Sequence, residues 1–213
     1  MDDKKVIILA GGKGTRIQKY FPGIIKPLFP INGMPIIERQ IKMFKDYTIF
    51  INCNVEDADK LKYLHLPLLI EKDRLGNAGA LYFFRKELGK CIVIHCDELC
   101  SLNPDDLWNA HKDNIAMTMV IKNIRREKEF GLVIEENNKI LKCTKDRWVN
   151  TGIYCINNKI FDYIDSNKYQ DLDTDIFPKL IKDGLLDSYK FNGLWFDVGT
   201  DWFIYKAYKA TKK

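Results

Sequence analysis

The sequence predicts an α/β fold with three layers, a mixed, mostly parallel sheet at the centre and helices on both faces. Three observations carry that expectation. Short apolar runs alternate with helical stretches through the first half of the chain, the pattern of strands buried on both faces and joined by covering helices. The first of these runs opens into a glycine-rich loop, at the carboxyl end of a strand where such sheets bind their ligands. The second half turns to a hairpin and shorter strands, and the 46% hydrophobic content of 213 residues suffices for one substantial core. A single domain over residues 1–213 is expected.

The elements follow in order. Val6–Ala10, Thr48–Asn52, Leu68–Glu71, Cys91–His95 and Ala116–Ile121 read as apolar strands. Ile36–Lys45, Glu56–Tyr63, Asn77–Glu87 and Pro104–Asn114 read as helices. The last of these begins well, with Asn103 as a cap, proline in the first turn and two acids facing the helix dipole. Leu132–Glu135 and Lys139–Cys143 around Asn137-Asn138 form a predicted hairpin. Gly152–Ile156 is a further strand, Asp173-Thr174 caps a helix that runs to Gly184, Trp195–Val198 is a short strand, and a closing helix starts at Trp202. Trp195, Trp202 and Tyr205 read as packing residues. The chain ends after that helix, leaving no room for an appended β-helix.

Charge and cysteine content narrow the function. The net charge of +5 is modest and spread along the chain, so no nucleic-acid stripe is present. Met1-Asp2-Asp3-Lys4-Lys5 is no signal peptide and no apolar run spans a bilayer, so no membrane association is expected. Six cysteines without paired spacing suit reduced thiols in a cytoplasmic protein. His95, Cys96 and Cys100 lack the spacing of a zinc site, and Cys96 reads as a small buried residue rather than a nucleophile.

The chemistry concentrates in Leu9-Ala10-Gly11-Gly12-Lys13-Gly14-Thr15-Arg16 and, ten residues on, Lys26-Pro27-Leu28. Glycines let backbone N–H groups turn towards a phosphate chain, and cations neutralise it. The glycine spacing fits neither the Walker loop nor the dinucleotide fingerprint. Two acids occupy strand ends: Asp97 after Cys91–His95, and Asp197 in Trp195-Phe196-Asp197-Val198-Gly199-Thr200. Such carboxylates suit Mg²⁺, which takes oxygen ligands.

Taken together, these motifs resemble those of the sugar-1-phosphate nucleotidylyltransferases, the NDP-sugar pyrophosphorylases. The resemblance runs from Val6 to about Lys206 and implies a Rossmann-like, glycosyltransferase-A-like nucleotidyltransferase fold with a substrate-facing second half. It implies a nucleotide-binding half over about 1–115 and a sugar-phosphate-binding half over about 116–213. Leu9, Ala10, Gly11, Gly12, Gly14 and Thr15 would wrap the triphosphate, with Arg16 and Lys26 stabilising charge during transfer. Val93-Ile94-His95-Cys96-Asp97 is similar to the strand that ends in the family's first metal aspartate, and Asp197 stands at the second, so Asp97 and Asp197 would share Mg²⁺. Glu71-Lys72-Asp73-Arg74-Leu75-Gly76-Asn77-Ala78-Gly79 resembles the segment that receives the nucleobase, which implicates Glu71, Gly76 and Asn77. There Gly76 and Gly79 would clear space for a planar ring, and Arg74 replaces the family's usual proline.

Gly131, Lys145, Asn150 and Thr151 match positions of the sugar-phosphate pocket, Lys145 as the phosphate contact, while Thr144 stands where the family has glutamate. The implied partners are a nucleoside triphosphate and a sugar 1-phosphate, with a homo-oligomer left open. The compact length, the Pro30-Ile31-Asn32-Gly33-Met34-Pro35 turn and the Glu71 segment look most like the small members that use GTP with a heptose or mannose 1-phosphate. Uridylyl or thymidylyl transfer to a hexose or amino-sugar 1-phosphate, and a non-catalytic NDP-sugar-binding subunit, are the alternatives. A covalent intermediate is not expected, because in-line displacement needs none.

Overall fold

The computed structural model describes residues 3–12, 14–15, 21–124, 132–136, 138–144, 148–166 and 168–212, with the backbone alone at 132–136, 141–144 and 201–202. The strands are β1 (Lys5–Leu9), β2 (Pro30–Ile31), β3 (Met34–Pro35), β4 (Thr48–Asn54), β5 (Leu68–Glu71), β6 (Cys91–His95), β7 (Glu98–Cys100), β8 (Met117–Asn123), β9 (Leu132–Glu136), β10 (Lys139–Thr144), β11 (Trp148–Ile156), β12 (Leu186–Lys190) and β13 (Trp195–Asp197). The helices are α1 (Ile36–Met43), α2 (Val55–Leu61), α3 (Gly76–Phe83), α4 (Arg85–Leu88), α5 (Pro104–Ala110), α6 (Phe177–Lys182) and α7 (Asp201–Ala210).

Among the described residues one mixed sheet runs in the order β5-β4-β1-β6-β11-β8-β12-β10-β9. From the pairings, all of its strands but β10 and β11 point the same way. Strands from both halves of the sequence therefore share this sheet. Alternation along β1 sorts its side chains between two cores. Val6 and Ile8 pack with Ile36 and Ile37 of α1, Leu61 of α2, Leu107 of α5 and Phe203 of α7. Ile7 and Leu9 pack on the other face with Ala78 and Leu81 of α3, Leu88 of α4 and Phe177 of α6. This is the three-layer arrangement that apolar runs buried on both faces require.

Departures from expectation have local causes. The helix expected over 77–87 breaks at Phe84, whose N–H bonds the carbonyl of Ala80, and resumes as α4. The stretch containing Asp173 and Thr174 does not cap a helix: Leu172–Ile176 form a π-helical turn that feeds α6 at Phe177-Pro178. β11 starts earlier than expected, at Trp148, with an irregularity in its pairing to β8 between Asn150 and Tyr154. β7 and β12 were not legible as strands. Tyr205 is 59% exposed, under Lys209, and so is no packing residue.

His111 at the end of α5 is buried between Thr118 and Asn157. Asn157 Nδ2 donates to its Nε2 at 3.2 Å, so Nδ1 carries the proton and donates to the Thr118 hydroxyl at 2.9 Å. Burial, aided by Lys90, pulls the imidazole down from 6.5 to about 4. Between those values the unfolded chain binds a proton that the folded protein refuses, so the stability is complete above pH 6.5 and is lost as the pH falls towards 4. Urea unfolding is expected to lose about 2 kcal/mol between pH 7 and pH 5 through this group. His111→Gln should flatten that part of the profile, and an equal pH dependence in the two proteins would refute it.

Candidate active site

β1, β4, β5 and β6 are parallel neighbours, so their carboxyl ends lie together on one rim of the sheet. Each delivers polar groups there: Gly11 and Gly12 after β1, Asn52 and Asn54 in β4, Glu71 in β5, His95 and Asp97 at the end of β6. All of these but Asn54 line a cavity of about 510 Å³ together with Leu9, Lys26, Arg74, Gly76, Asn77 and Asp171. Gly14 has φ +60°, and a Cβ there would press on Lys26 Cβ at 3.0 Å, so the loop closes directly over this lysine.

At one end of the cavity sits a charged cluster. Lys26 forms an ion pair with Asp97. Asp197, a hundred residues further on, is brought beside Asp97 because β13 pairs with β7, with Asp197 opposite Glu98. The Val198 N–H donates to the Asp97 carbonyl at 3.0 Å and the Gly199 N–H to Asp197 Oδ1 at 2.8 Å. A Cβ at 199 would lie 2.7 Å from Asp97 Oδ2 and 2.8 Å from Asp197 Oδ1, so glycine there leaves both carboxyl groups their positions. The two carboxyl groups are within hydrogen-bonding reach of each other.

The electrostatics follow from this crowding. Burial, and then the Asp97 charge, pushes Asp197 up to about 6. Burial also opposes charge on Asp97, but Lys26 overrides it and holds Asp97 below the ordinary carboxylate value. Lys26 in turn sits above its ordinary value despite burial, because it faces Asp97 and Asp197. Two carboxylates held this close repel, and a cation between them relieves the repulsion. An oxygen-rich, buried pair of this kind fits a hard divalent cation.

The other end is a hydrogen-bonded network around Glu71. Asn52 Nδ2 donates to Glu71 Oε1 at 2.6 Å, and the Leu75 N–H to Glu71 Oε2 at 3.3 Å. Asn54 Nδ2 and Arg74 Nη1 donate to the Gly11 carbonyl at 2.6 and 3.3 Å, tying the glycine loop to β4 and to the segment after β5. Burial raises Glu71 above its ordinary value, with Asn52 and Leu75 opposing it.

The sequence-predicted residues divide on this geometry. Leu9, Gly11, Gly12, Lys26, Glu71, Gly76, Asn77 and Asp97 line the cavity, and Asp197 adjoins it through Asp97. Asn150 and Thr151 stand apart on β11. The Asn150 amide donates to the Tyr154 hydroxyl at 2.8 Å, and the buried Thr151 hydroxyl to the Val120 carbonyl at 2.8 Å. Arg16, Gly131 and Lys145 lie outside the described residues. The reason for glycine at 76 and 79 differs from the one expected. Both face the backbone of 168–170, whose Gln170 carbonyl accepts from the N–H groups of Ala78 and Gly79 at 3.0 and 3.3 Å.

Several supporting residues were not legible in advance. Gln40 of α1 is buried and donates to the carbonyls of His95 and Glu98, both at 2.8 Å, pinning the turn that carries Asp97. Trp195, expected only to pack, donates its indole N–H to Glu98 Oε2 at 2.7 Å. Asn52 and Asn54 were the readable signal, as amides closing an otherwise apolar strand. Cys96 points into the core with Ile92 and Ile94, its thiol pushed up to about 12 by burial, which makes it no nucleophile. The five described cysteines are free.

A glycine loop, a pair of buried carboxyl groups and a lysine ion-paired with one of them meet on the rim of an α/β sheet. The chain belongs to the nucleotidyl transferase family, whose model matches residues 5–213. It is 28% identical over 224 residues to the bifunctional protein GlmU of Methanococcus aeolicus, covering 94% of this chain and 53% of that one. It is 27% identical over 222 residues to a mannose-1-phosphate guanyltransferase of Schizosaccharomyces pombe, covering 92% and 61%. The chain thus spans between about half and three-fifths of these curated relatives. In fold it superimposes on crystalline HddC from Yersinia pseudotuberculosis with a TM-score of 0.84 at 22% identity, over 98% of this chain and 99% of that one. No helix among the described residues is long and apolar enough to cross a membrane.

Proposed function

We propose that this chain is a sugar-1-phosphate nucleotidylyltransferase that converts an NTP and a sugar 1-phosphate into an NDP-sugar and diphosphate. The observation that carries the reading is the meeting of Asp97, Asp197 and Lys26 at one end of a cavity whose other end is Glu71. The triphosphate lies along Gly11–Thr15, whose backbone amides hold the departing diphosphate, and Arg16 and Lys26 neutralise its charge. Asp97 and Asp197 would hold Mg²⁺, which would supply neutralisation and Lewis-acid polarisation of the phosphate oxygens. The sugar phosphate is positioned by Lys145 beside Gly131, Asn150 and Thr151. One of its ionised oxygens attacks the α-phosphorus in line. The bond from that phosphorus to the bridging oxygen breaks, and diphosphate departs with the electron pair. No proton need move, so positioning and charge carry the catalysis.

Glu71 favours guanine. An ionised carboxylate only accepts hydrogen bonds, and each of its oxygens keeps a lone pair beyond those used by Asn52 and Leu75. Guanine presents two adjacent donors on its Watson–Crick edge, whereas uracil and thymine present one donor between two acceptors. The mannose-1-phosphate guanyltransferase among the relatives, and HddC crystallised with GMP-PN, agree with this choice. Mannose or heptose 1-phosphate is the acceptor we assign. The chain works in this reading as one domain, nucleotide side about 1–115 and sugar-phosphate side about 116–213, in a reducing cytoplasmic setting that suits its free thiols.

The test is diphosphate release with Mg²⁺ over four NTPs and a panel of hexose, heptose and amino-sugar 1-phosphates. GTP with a manno-configured sugar phosphate is the expected productive pair. Turnover with UTP or dTTP would overturn the guanine assignment. Nucleotide-sugar binding without turnover across the panel would overturn the enzyme reading in favour of a binding subunit, the role to which Thr144 in place of glutamate points.

A further inference from the structure

His95 is the last residue of β6, in register with Leu9 of β1, and it lines the cavity two residues before Asp97. Its ring stands edge-on to Tyr154 at 6.0 Å, and its backbone carbonyl is held by Gln40. The imidazole Nε2 is buried and has no hydrogen-bond partner among the described residues. Leaving a buried polar nitrogen unpaired is unfavourable, so a working site is expected to supply its partner. What surrounds it says which kind. Donor atoms of His95, Asp97 and Glu98 all lie within 4.8 Å of one another, a span that one metal ion can bridge. Glu98 is itself 5% exposed and is fixed by the Trp195 indole, so it stays aimed without help from solvent. The Asp97 carboxylate and the buried Glu98 carboxyl group beside an unpaired nitrogen form a donor set that a metal cation can use.

We propose that His95 is a nitrogen ligand of the divalent cation held at Asp97, with Glu98 as a further oxygen ligand, and that the centre prefers Mn²⁺ to Mg²⁺. The inference rests on the reading that Asp97 holds a divalent cation, and it refines which cation. Mg²⁺ favours sites made of oxygen alone, while an imidazole in the donor set shifts preference towards the first-row transition metals. The thiols take no part. Cys96 packs in the core with Ile92 and Ile94, and Cys100 Sγ lies 3.8 Å from Met43 Sδ. That removes a zinc site built on cysteine and leaves a mixed nitrogen and oxygen centre.

Pulsed electron paramagnetic resonance on nucleotide-free protein tests this directly. Mn²⁺ is added alone, then with inorganic pyrophosphate, which offers only oxygen. Imidazole-nitrogen modulation of the bound Mn²⁺ signal is expected, together with displacement by Mg²⁺ only at about tenfold or greater excess. In His95→Gln the modulation should vanish while Mn²⁺ still binds about tenfold more weakly, and His95→Asn should behave alike. Mn²⁺ bound through oxygen alone in the unaltered protein overturns the proposal, whether or not the variants fold. If metal-dependent diphosphate release accompanies that result, the transferase reading stands and the His95 assignment alone falls. No bound Mn²⁺ under either condition overturns both the ligand and the cation site at Asp97.

Discussion

Asp97→Asn is expected to lower kcat by at least about a hundredfold, with the circular dichroism spectrum and cooperative unfolding retained. The substitution keeps the shape of the side chain and removes its charge. That charge holds Lys26 in place and, with Asp197, makes the end of the cavity anionic enough to attract a cation. Metal-assisted stabilisation of phosphate charge contributes several kcal/mol, and about 2.7 kcal/mol is a hundredfold in rate. In the variant, the repulsion that pushes Asp197 up is relieved, so its pKa should fall back towards the ordinary carboxylate value. Steady-state diphosphate release checks the first effect and carboxyl titration by NMR the second. Turnover near that of the parent protein would remove Asp97 from the centre.

Gly76→Ala should produce the largest loss of stability for the smallest change of side chain. Gly76 has φ +73°, where a Cβ is strained, and the added carbon would run into the backbone carbonyl oxygen of Gln170 and lie 2.8 Å from its carbon. Backbone cannot swing aside as a flexible side chain can. The strained dihedral alone costs about 1–3 kcal/mol. Displacing Gln170 would also free the N–H groups of Ala78 and Gly79 at the start of α3 and break the Gln170 N–H bond to the Leu75 carbonyl. A loss of about 3 kcal/mol or more, and of about 10 °C in Tm, is expected. Gly12→Ala is the control, because a Cβ there meets nothing within 4 Å, and its stability should change by less than about 0.5 kcal/mol. Equal melting temperatures for the two variants would show that the 168–171 segment does not brace α3.

Much of this molecule was readable from its residues. The strands of the first half were placed to within a residue or two, since runs such as Cys91–His95 must be buried and helices must cover them. The glycine loop, Lys26, Asp97 and Asp197 stood out as candidate chemistry because each stands at a strand end or in a turn, where apolar periodicity stops, while Glu71 was singled out through the family resemblance. Helix breaks and short pairings were harder. The step at Phe84, the π-helical turn at Leu172–Ile176 and the β7–β13 pair are settled by neighbours distant in sequence, and carry little signal of their own.

The sequence by itself determined the fold class, the family motifs and the identity of the charged groups, because strand burial and loop chemistry are local properties. Only the tertiary structure decided how those groups act on one another. Asp97 meets Asp197 because β13 pairs with β7, and Gly199 leaves room for both carboxylates. Gln40 of α1 pins the turn that carries Asp97, and Trp195 reaches Glu98 across ninety-seven positions. Gly76 is glycine because the chain returns against it nearly a hundred residues later. A pKa, an ion pair or a steric limit depends on distance in space, and distance in space is set by the packing of the whole chain.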